Sequence, residues 1–355
     1  MPLERTMMVV RFRRKSLILS TISGALFVAG LAAGCGTSAA SEEGAKAATT
    51  QVDDAKQAAN PSGTLTVYGA LTSANGDALA KAFEAYDANA KVNIITGGTG
   101  DLVTRIEAEA KAKSLHADVV LLADPTVMPN LANEHILSSY KPASATNLPS
   151  SLQGQDWVGA FTFHNVIIYH KGMSLPTPTS WTDLTKATYK GQLELGDPSY
   201  SGTTLGMVGY LSSKYGWRYF QDLRQNNATT QSSTNTVGTD VASGRVDVGI
   251  SLDSVANSLI AQGSPVGIVW PKDGAIPVPA PVSIVAGKEN ALSKAFVDWL
   301  LSPAGQSEVS HLGLAPVSGS SNLVPQNATM ASIDWSQIGQ QRTTTINQFE
   351  SIFSK

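Results

Sequence analysis

The chain has 355 residues, with 25 Lys and Arg against 28 Asp and Glu, an apolar fraction of 42% and a charged fraction of 15%. That length holds one large or two medium domains whose core needs no disulfide support, and so apolar a chain is not a disordered one. A single cysteine excludes a disulfide framework and a cysteine-built zinc site, and the near-neutral charge excludes a nucleic-acid binder driven by bulk positive charge.

The N-terminus reads as an address. Arg11, Arg13, Arg14 and Lys15 precede an apolar stretch from Leu17 to Ala33, which ends at Leu31-Ala32-Ala33-Gly34-Cys35. A charged region, an apolar region and small residues at a cleavage point make an export signal over residues 1–34. Its end resembles a bacterial lipobox, with Ala32 where that motif usually has Leu, which implies acylation of Cys35 as the first mature residue. An uncleaved anchor helix is the other reading; both put the rest of the chain outside the cytoplasm, held at a membrane. Losing residues 1–34 leaves 20 basic and 27 acidic residues, a net charge of −7. A mildly acidic body that binds an anion must do so by local geometry. Residues 35–62, rich in Ser, Ala, Gly and Gln, read as a flexible lipid-anchored tether.

The body alternates strand and helix patterns. Strands are expected at 64–69, 92–96 and 117–123, the last a continuous apolar run typical of a parallel strand buried on both faces. Helices are expected at 76–87 and 101–113, where apolar residues recur at turn spacing. Residues 157–170 form a β stretch long enough to pass from one domain into another. A second alternating set follows: strands at 191–195, 246–251 and 266–270, helices at 203–215, 218–226, 235–243 and 254–262. Residues 277–281 read as a stiff Pro-rich return before a strand at 282–285 and an amphipathic helix at 291–301. The order predicts an α/β fold of doubly wound layers.

Five segments in order carry a resemblance: Thr66-Val-Tyr-Gly-Ala-Leu-Thr-Ser, Ala117-Asp-Val-Val-Leu-Leu-Ala-Asp, Gly191-Gln-Leu-Glu-Leu-Gly-Asp-Pro-Ser-Tyr-Ser-Gly-Thr-Thr, Val241-Ala-Ser-Gly-Arg-Val-Asp-Val-Gly-Ile and Ala295-Phe-Val-Asp-Trp-Leu-Leu-Ser-Pro-Ala-Gly-Gln. Over 63–317 the chain resembles the type II extracytoplasmic solute-binding proteins of ABC transporters, in the branch that binds ferric iron, 2-aminoethylphosphonate or phosphosugars. The resemblance implies two α/β lobes joined by hinge strands and closing on a ligand, with lobe 1 at 63–160 plus 277–355 and lobe 2 at 161–276. It further implies a monomer without cofactor that hands a small ligand to the transmembrane subunits of an ABC permease.

Ligands of doubly wound sheets bind beyond the C-terminal strand ends. Three loops there are rich in Gly and hydroxyl residues: Thr72 and Ser73; Gly98, Thr99 and Gly100; and Ser199, Tyr200, Ser201, Gly202 and Thr203. Free N–H groups at helix starts, with hydroxyl donors beside them, make a neutral cradle for phosphate, phosphonate or carboxylate. The same residues also serve simply as helix caps. Asp124 and Asp253, each just after a strand, are expected at the same cleft, ready for a cationic group on the ligand or committed to capping or a hinge hydrogen bond. Asn235, with Ser233 and Thr234, begins another helix.

Ferric iron is the competing ligand, but it needs anionic oxygen donors, and the adjacent tyrosines of the iron-binding members are missing from Ile250-Ser-Leu-Asp-Ser-Val. No histidine pair stands at metal-ligand spacing, so no metal site is expected. No Gly-x-Ser-x-Gly elbow surrounds Ser201, which points to a binder and not an enzyme. A structural or adhesive surface lipoprotein is the alternative of another class.

Overall fold

The computed structural model describes residues 61–354. The export signal, Cys35 and nearly all of the tether lie outside the described residues. In chain order the body runs β1 (Gly63–Gly69), α1 (Ser73–Tyr86), β2 (Ala90–Thr96), α2 (Thr99–Lys111), β3 (Val119–Leu121), α3 (Met128–Asn133), β4 (Val158–His170), β5 (Leu193–Gly196), α4 (Gly202–Tyr215), α5 (Arg218–Gln225), β6 (Thr229–Gln231), α6 (Thr234–Ser243), β7 (Val248–Leu252), α7 (Asp253–Ala261), β8 (Val266–Val269), β9 (Ile276–Ile284), α8 (Ala291–Leu300), α9 (Pro303–His311), β10 (Ala315–Pro316), α10 (Trp335–Gln340) and α11 (Arg342–Phe353). No helix among the described residues is long and apolar enough to cross a membrane.

The strands form one sheet in the order β2-β1-β3-β9-β4-β7-β5-β6, with β8 and β10 also paired to β4. Its two ends, β2-β1-β3 and β7-β5-β6, are parallel triplets. Between them β4 and β9 run antiparallel to each other and to their neighbours. The architecture is therefore two doubly wound halves joined by two long crossing strands.

Each parallel triplet is covered on both faces, which explains its continuous apolar runs. In the first half, Leu65 and Val67 meet Phe83, Phe296 and Trp299 on one face, and Tyr68 meets Leu102 and Ile106 on the other. Phe83 anchors the first cluster with ring centroids 5.2 Å from both Phe296 and Trp299 in edge-to-face geometry. In the second half, Leu193 and Leu195 pack with Trp181, Phe220 and Phe349.

The proline run departs from the expected return loop. Residues 276–284 are a single strand, Ile-Pro-Val-Pro-Ala-Pro-Val-Ser-Ile. Pro277, Pro279 and Pro281 alternate, so their missing N–H groups fall on one edge. The Pro281 carbonyl accepts from Leu122 N at 2.9 Å, which marks that edge as the one turned toward β3. β3 pairs only with 282–284, so the ladder to β4 keeps its donors.

The C-terminal helices also depart from expectation. The resemblance puts residues 277–355 together in the first lobe, but α10 packs on α4, and α11 on α4 and α5. Phe349 sits edge-on to Phe220, 5.6 Å away. Only α8 and α9 stay with the first half, α8 on β1 and β9.

Candidate functional site

Several helices begin earlier than periodicity suggests: α1 at Ser73, α2 at Thr99, α4 at Gly202, α6 at Thr234 and α7 at Asp253. Gly and hydroxyl residues blur the apolar pattern of these first turns, while the capping chemistry sets the true start. Thr72 Oγ1 accepts from Asn75 N at 3.2 Å, Ser201 Oγ from Thr204 N at 3.3 Å, and Ser233 Oγ from Asn235 N at 3.1 Å. The starts of α2 and α7 have no side-chain cap.

All five N-cap residues, Thr72, Gly98, Ser201, Ser233 and Leu252, line one cavity of about 660 Å³. Ser73, Thr96, Thr99, Thr203, Ser232, Thr234, Asn235, Ser254 and Ser258 add polar groups, and Phe163 with Val255 adds apolar wall. No Lys, Arg or His is among the lining residues, and Asp101 is their one charged side chain. The amides of Gly202 and Thr203 at the start of α4, and of Gly100 and Asp101 at the start of α2, have no acceptor among the described residues. Thr99, Thr234 and Ser254 are buried residues of this lining, and their hydroxyls have no partner among the described residues and stay accessible to the cavity. Hydroxyls of this kind are open to water or to a ligand in the cavity. The site therefore offers partial positive charge and donors without a formal cation.

The frame beneath α4 is held from the crossing strand. Asn165 on β4 is buried, and its Nδ2 donates to the Thr203 carbonyl at 2.9 Å. Ser201 and Thr203 hydroxyls meet at 3.0 Å. Across the cavity the two halves touch directly: a Cβ on Gly98 would lie 3.6 Å from the Tyr200 carbonyl oxygen, and one on Gly100 3.5 Å from that of Ser199.

Of the residues expected from the sequence, Thr72, Ser73, Gly98, Thr99, Tyr200, Ser201, Gly202, Thr203 and Asn235 line the cavity; Tyr200 is half exposed at its mouth. Gly100 faces the Ser199–Tyr200 backbone instead, and Ser199 turns to Asp197, whose Oδ1 accepts from its N–H and hydroxyl. Asp124 and Asp253 do not line it and are fully committed to protein. Asp124 accepts from Thr126 and Arg342. Asp253 Oδ1 accepts from His164 N and Ser254 N, each at 2.9 Å, and its Oδ2 lies 2.8 Å from His164 Nδ1. That bond ties α7 to the crossing strand, with the Trp270 ring 5.3 Å from the imidazole. Sequence reasoning missed Asp101, Thr96, Phe163, Ser254 and Ser258. The i, i+4 spacing of Ser254 and Ser258 after a strand was the available signal for the last two.

This fold and cavity define a ligand-capturing protein. The chain belongs to the bacterial extracellular solute-binding protein family, which it matches over residues 64–314. It is 27% identical over 256 residues to a Sinorhizobium fredii protein named as an ABC transporter periplasmic-binding protein, covering 66% of this chain and 69% of that one. It is 24% identical over 232 residues to a Salmonella typhimurium periplasmic protein named for 2-aminoethylphosphonate binding, covering 62% and 67%. Its fold is shared with AfuA from Actinobacillus pleuropneumoniae, solved with fructose-6-phosphate bound, at TM-score 0.73 and 23% identity, covering 82% of this chain and 98% of that one.

Proposed function

We propose that this protein is the substrate-binding subunit of an ABC importer and that it captures a small phosphate ester or phosphonate between its two lobes. The carrying observation is the convergence of five helix starts on one cavity that has no cationic side chain. Hydroxyls of Thr99, Thr234 and Ser254 in the same wall, open to the cavity and without a partner among the described residues, support it, as do the names of the relatives above. The ligand touches both halves, so it stabilises the closed form over the open one by its differential affinity for the two. The closed form is what the permease receives.

Ferric iron fits the cavity poorly. A hard trivalent cation needs several anionic oxygens, and the lining offers Asp101 and an exposed Tyr200. Among the described residues no group of three or more His, Asp or Glu is placed to hold a metal. Catalysis has no support at Ser201 either: among the described residues its Oγ bonds only Thr203 Oγ1 and Thr204 N. The remaining parts of the reading are a lipid anchor at Cys35 on the outer face of the cytoplasmic membrane, a tether to residue 62, and action as a monomer. Cys35→Ser then releases the protein from the membrane.

The test is a thermal-shift panel of 2-aminoethylphosphonate, fructose 6-phosphate, inorganic phosphate and ferric citrate. A rise with an organophosphorus compound, lost in Ser201→Ala with Thr203→Ala while the fold persists, is expected. A rise with ferric citrate alone overturns the ligand class.

A further inference from the structure

Asp124, just beyond β3 in the first half, is fully buried. Its Oδ1 accepts from the Thr126 N–H at 2.9 Å and from the Thr126 hydroxyl at 2.6 Å. Its Oδ2 accepts from Arg342 Nη1, which also donates to Thr126 Oγ1 at 3.1 Å. Arg342 opens α11, a helix seated on α4 and α5 of the second half. The ion pair therefore runs between the halves, at a point where neither partner lines the ligand cavity. The same aspartate lies against the first residue of α4, since a Cβ on Gly202 would be 2.3 Å from Asp124 Cβ. Behind the pair, Arg342 and Thr126 border a second cavity of about 920 Å³. The guanidinium thus keeps a solvent-facing side, its side chain 26% exposed.

We propose that the Asp124–Arg342 pair is a latch on the closed form, which makes Arg342 a positioning residue for ligand capture that acts through Asp124 without touching the ligand. The inference rests on the reading that the halves part about β4 and β9 to admit a ligand, but not on which ligand enters. When the halves part, both charges return to water. When they close, Asp124 is desolvated beside the start of α4, and among the described residues Arg342 is the one cation paired with it, beside the hydrogen bonds from Thr126. A buried ion pair adds little over a well-packed neutral pair, but removing one partner strands the other charge. Arg342 thus makes closure tolerable, and it keeps the partial positive charge of the α4 start available to an anionic ligand instead of being used up by Asp124.

The experiment uses the full-length chain in mild detergent with Cys35→Ser, which removes the one native cysteine. Dyes are placed at the exposed positions Lys81→Cys in the first half and Lys190→Cys in the second. Single-molecule energy transfer then reads the closed-to-open ratio without ligand and with 2-aminoethylphosphonate or fructose 6-phosphate as probes. Arg342→Gln is expected to lower the ratio at least about tenfold, the usual scale for stranding a buried charge. Adding Asp124→Asn to Arg342→Gln is expected to recover most of it, because no charge is then buried. An unchanged ratio in a folded Arg342→Gln variant overturns the latch and leaves a static packing contact. If Arg342→Gln does not fold, Arg342→His makes the comparison by pH: a closed-to-open ratio that falls between about pH 5 and 8, as the imidazole loses its charge, supports the latch, and a ratio that stays flat overturns it. Failure of both probes while the two forms still interconvert faults only the proposed ligand class. A single form under every condition overturns the latch together with lobe closure.

Discussion

Gly202→Ala separates binding from folding most sharply. Gly202 is the first residue of α4, between the N-cap Ser201 and the cavity wall residue Thr203. An added Cβ would stand 2.3 Å from Asp124 Cβ, 2.8 Å from its Cγ and 2.9 Å from its Oδ2. Ordinary contact begins near 3.4 Å, so the neighbour must retreat by about 1 Å. Asp124 cannot swing aside, because both its oxygens are held by Thr126 and Arg342. Overpacking of this kind costs about 1–3 kcal/mol, which is roughly a 5- to 150-fold loss of affinity if it falls only on the closed form. In the open form the methyl meets nothing from the other half, and Ala in a first helical turn is neutral to favourable relative to Gly. Calorimetric titration with whichever phosphorylated compound gives the largest thermal shift should show the weakened Kd, while the ligand-free Tm holds or rises. An affinity within twofold of the parent refutes the reasoning. So does a fall in ligand-free stability equal to the loss of binding, since the contact would then exist in both forms.

Asn165→Ala removes the buried bond that fixes the Thr203 carbonyl and should lower stability by about 1–3 kcal/mol, read by urea denaturation, with weaker ligand binding beside it. Asp101→Asn removes the one charge on the lining; affinity for an amine-bearing phosphonate should fall relative to that for fructose 6-phosphate, measured as a ratio of Kd values. Away from the cavity, burial pushes the Glu109 carboxyl up, but hydrogen bonds from Arg105, Tyr68 and His116 outweigh it and hold its pKa at about 2 instead of 4.5. Its contribution is therefore complete above about pH 4.5 and lost as pH falls toward 2. The Tm gap between the parent and Glu109→Gln should be constant near neutrality and close over that acid range.

Much of the arrangement can be read before any coordinates are seen. The apolar run at 117–123 and the long stretch at 157–170 announce a buried parallel strand and a crossing strand, because burial on two faces removes alternation. Gly97–Gly100 and Ser199–Thr204 announce helix starts at strand ends. What sequence spacing cannot supply is competition between partners distant in the chain. Asp124 and Asp253 do sit at strand ends, but their carboxylates are taken by Arg342, 218 residues later, and by His164, 89 residues earlier. Both backbones sit just after strands as expected, and of the two roles left open for their side chains the structure shows hydrogen bonding within the protein. The strand at 276–284 was hidden by its prolines, which are tolerated because all three fall on the same edge. Helices α10 and α11 lack a strong apolar period, and their place depends on tertiary anchors such as Phe349, which meets Phe220 only once the chain is folded. The convergence of α6 and α7 with the other helix starts is likewise a product of strand order in the sheet.

A grip made of helix ends and neutral hydroxyls has a built-in way to let go. Each helix end offers an anion only about 0.3–1 kcal/mol at modest burial, and that pull fades within a turn. Two of the five ends belong to one side of the molecule and three to the other. Spreading the sides leaves the cargo facing two or three feeble attractions in place of five, with no ammonium or guanidinium to pull free from. Holding and surrender are then the same contact list at two separations, so a transporter that prises the halves apart needs no chemistry of its own to empty the carrier.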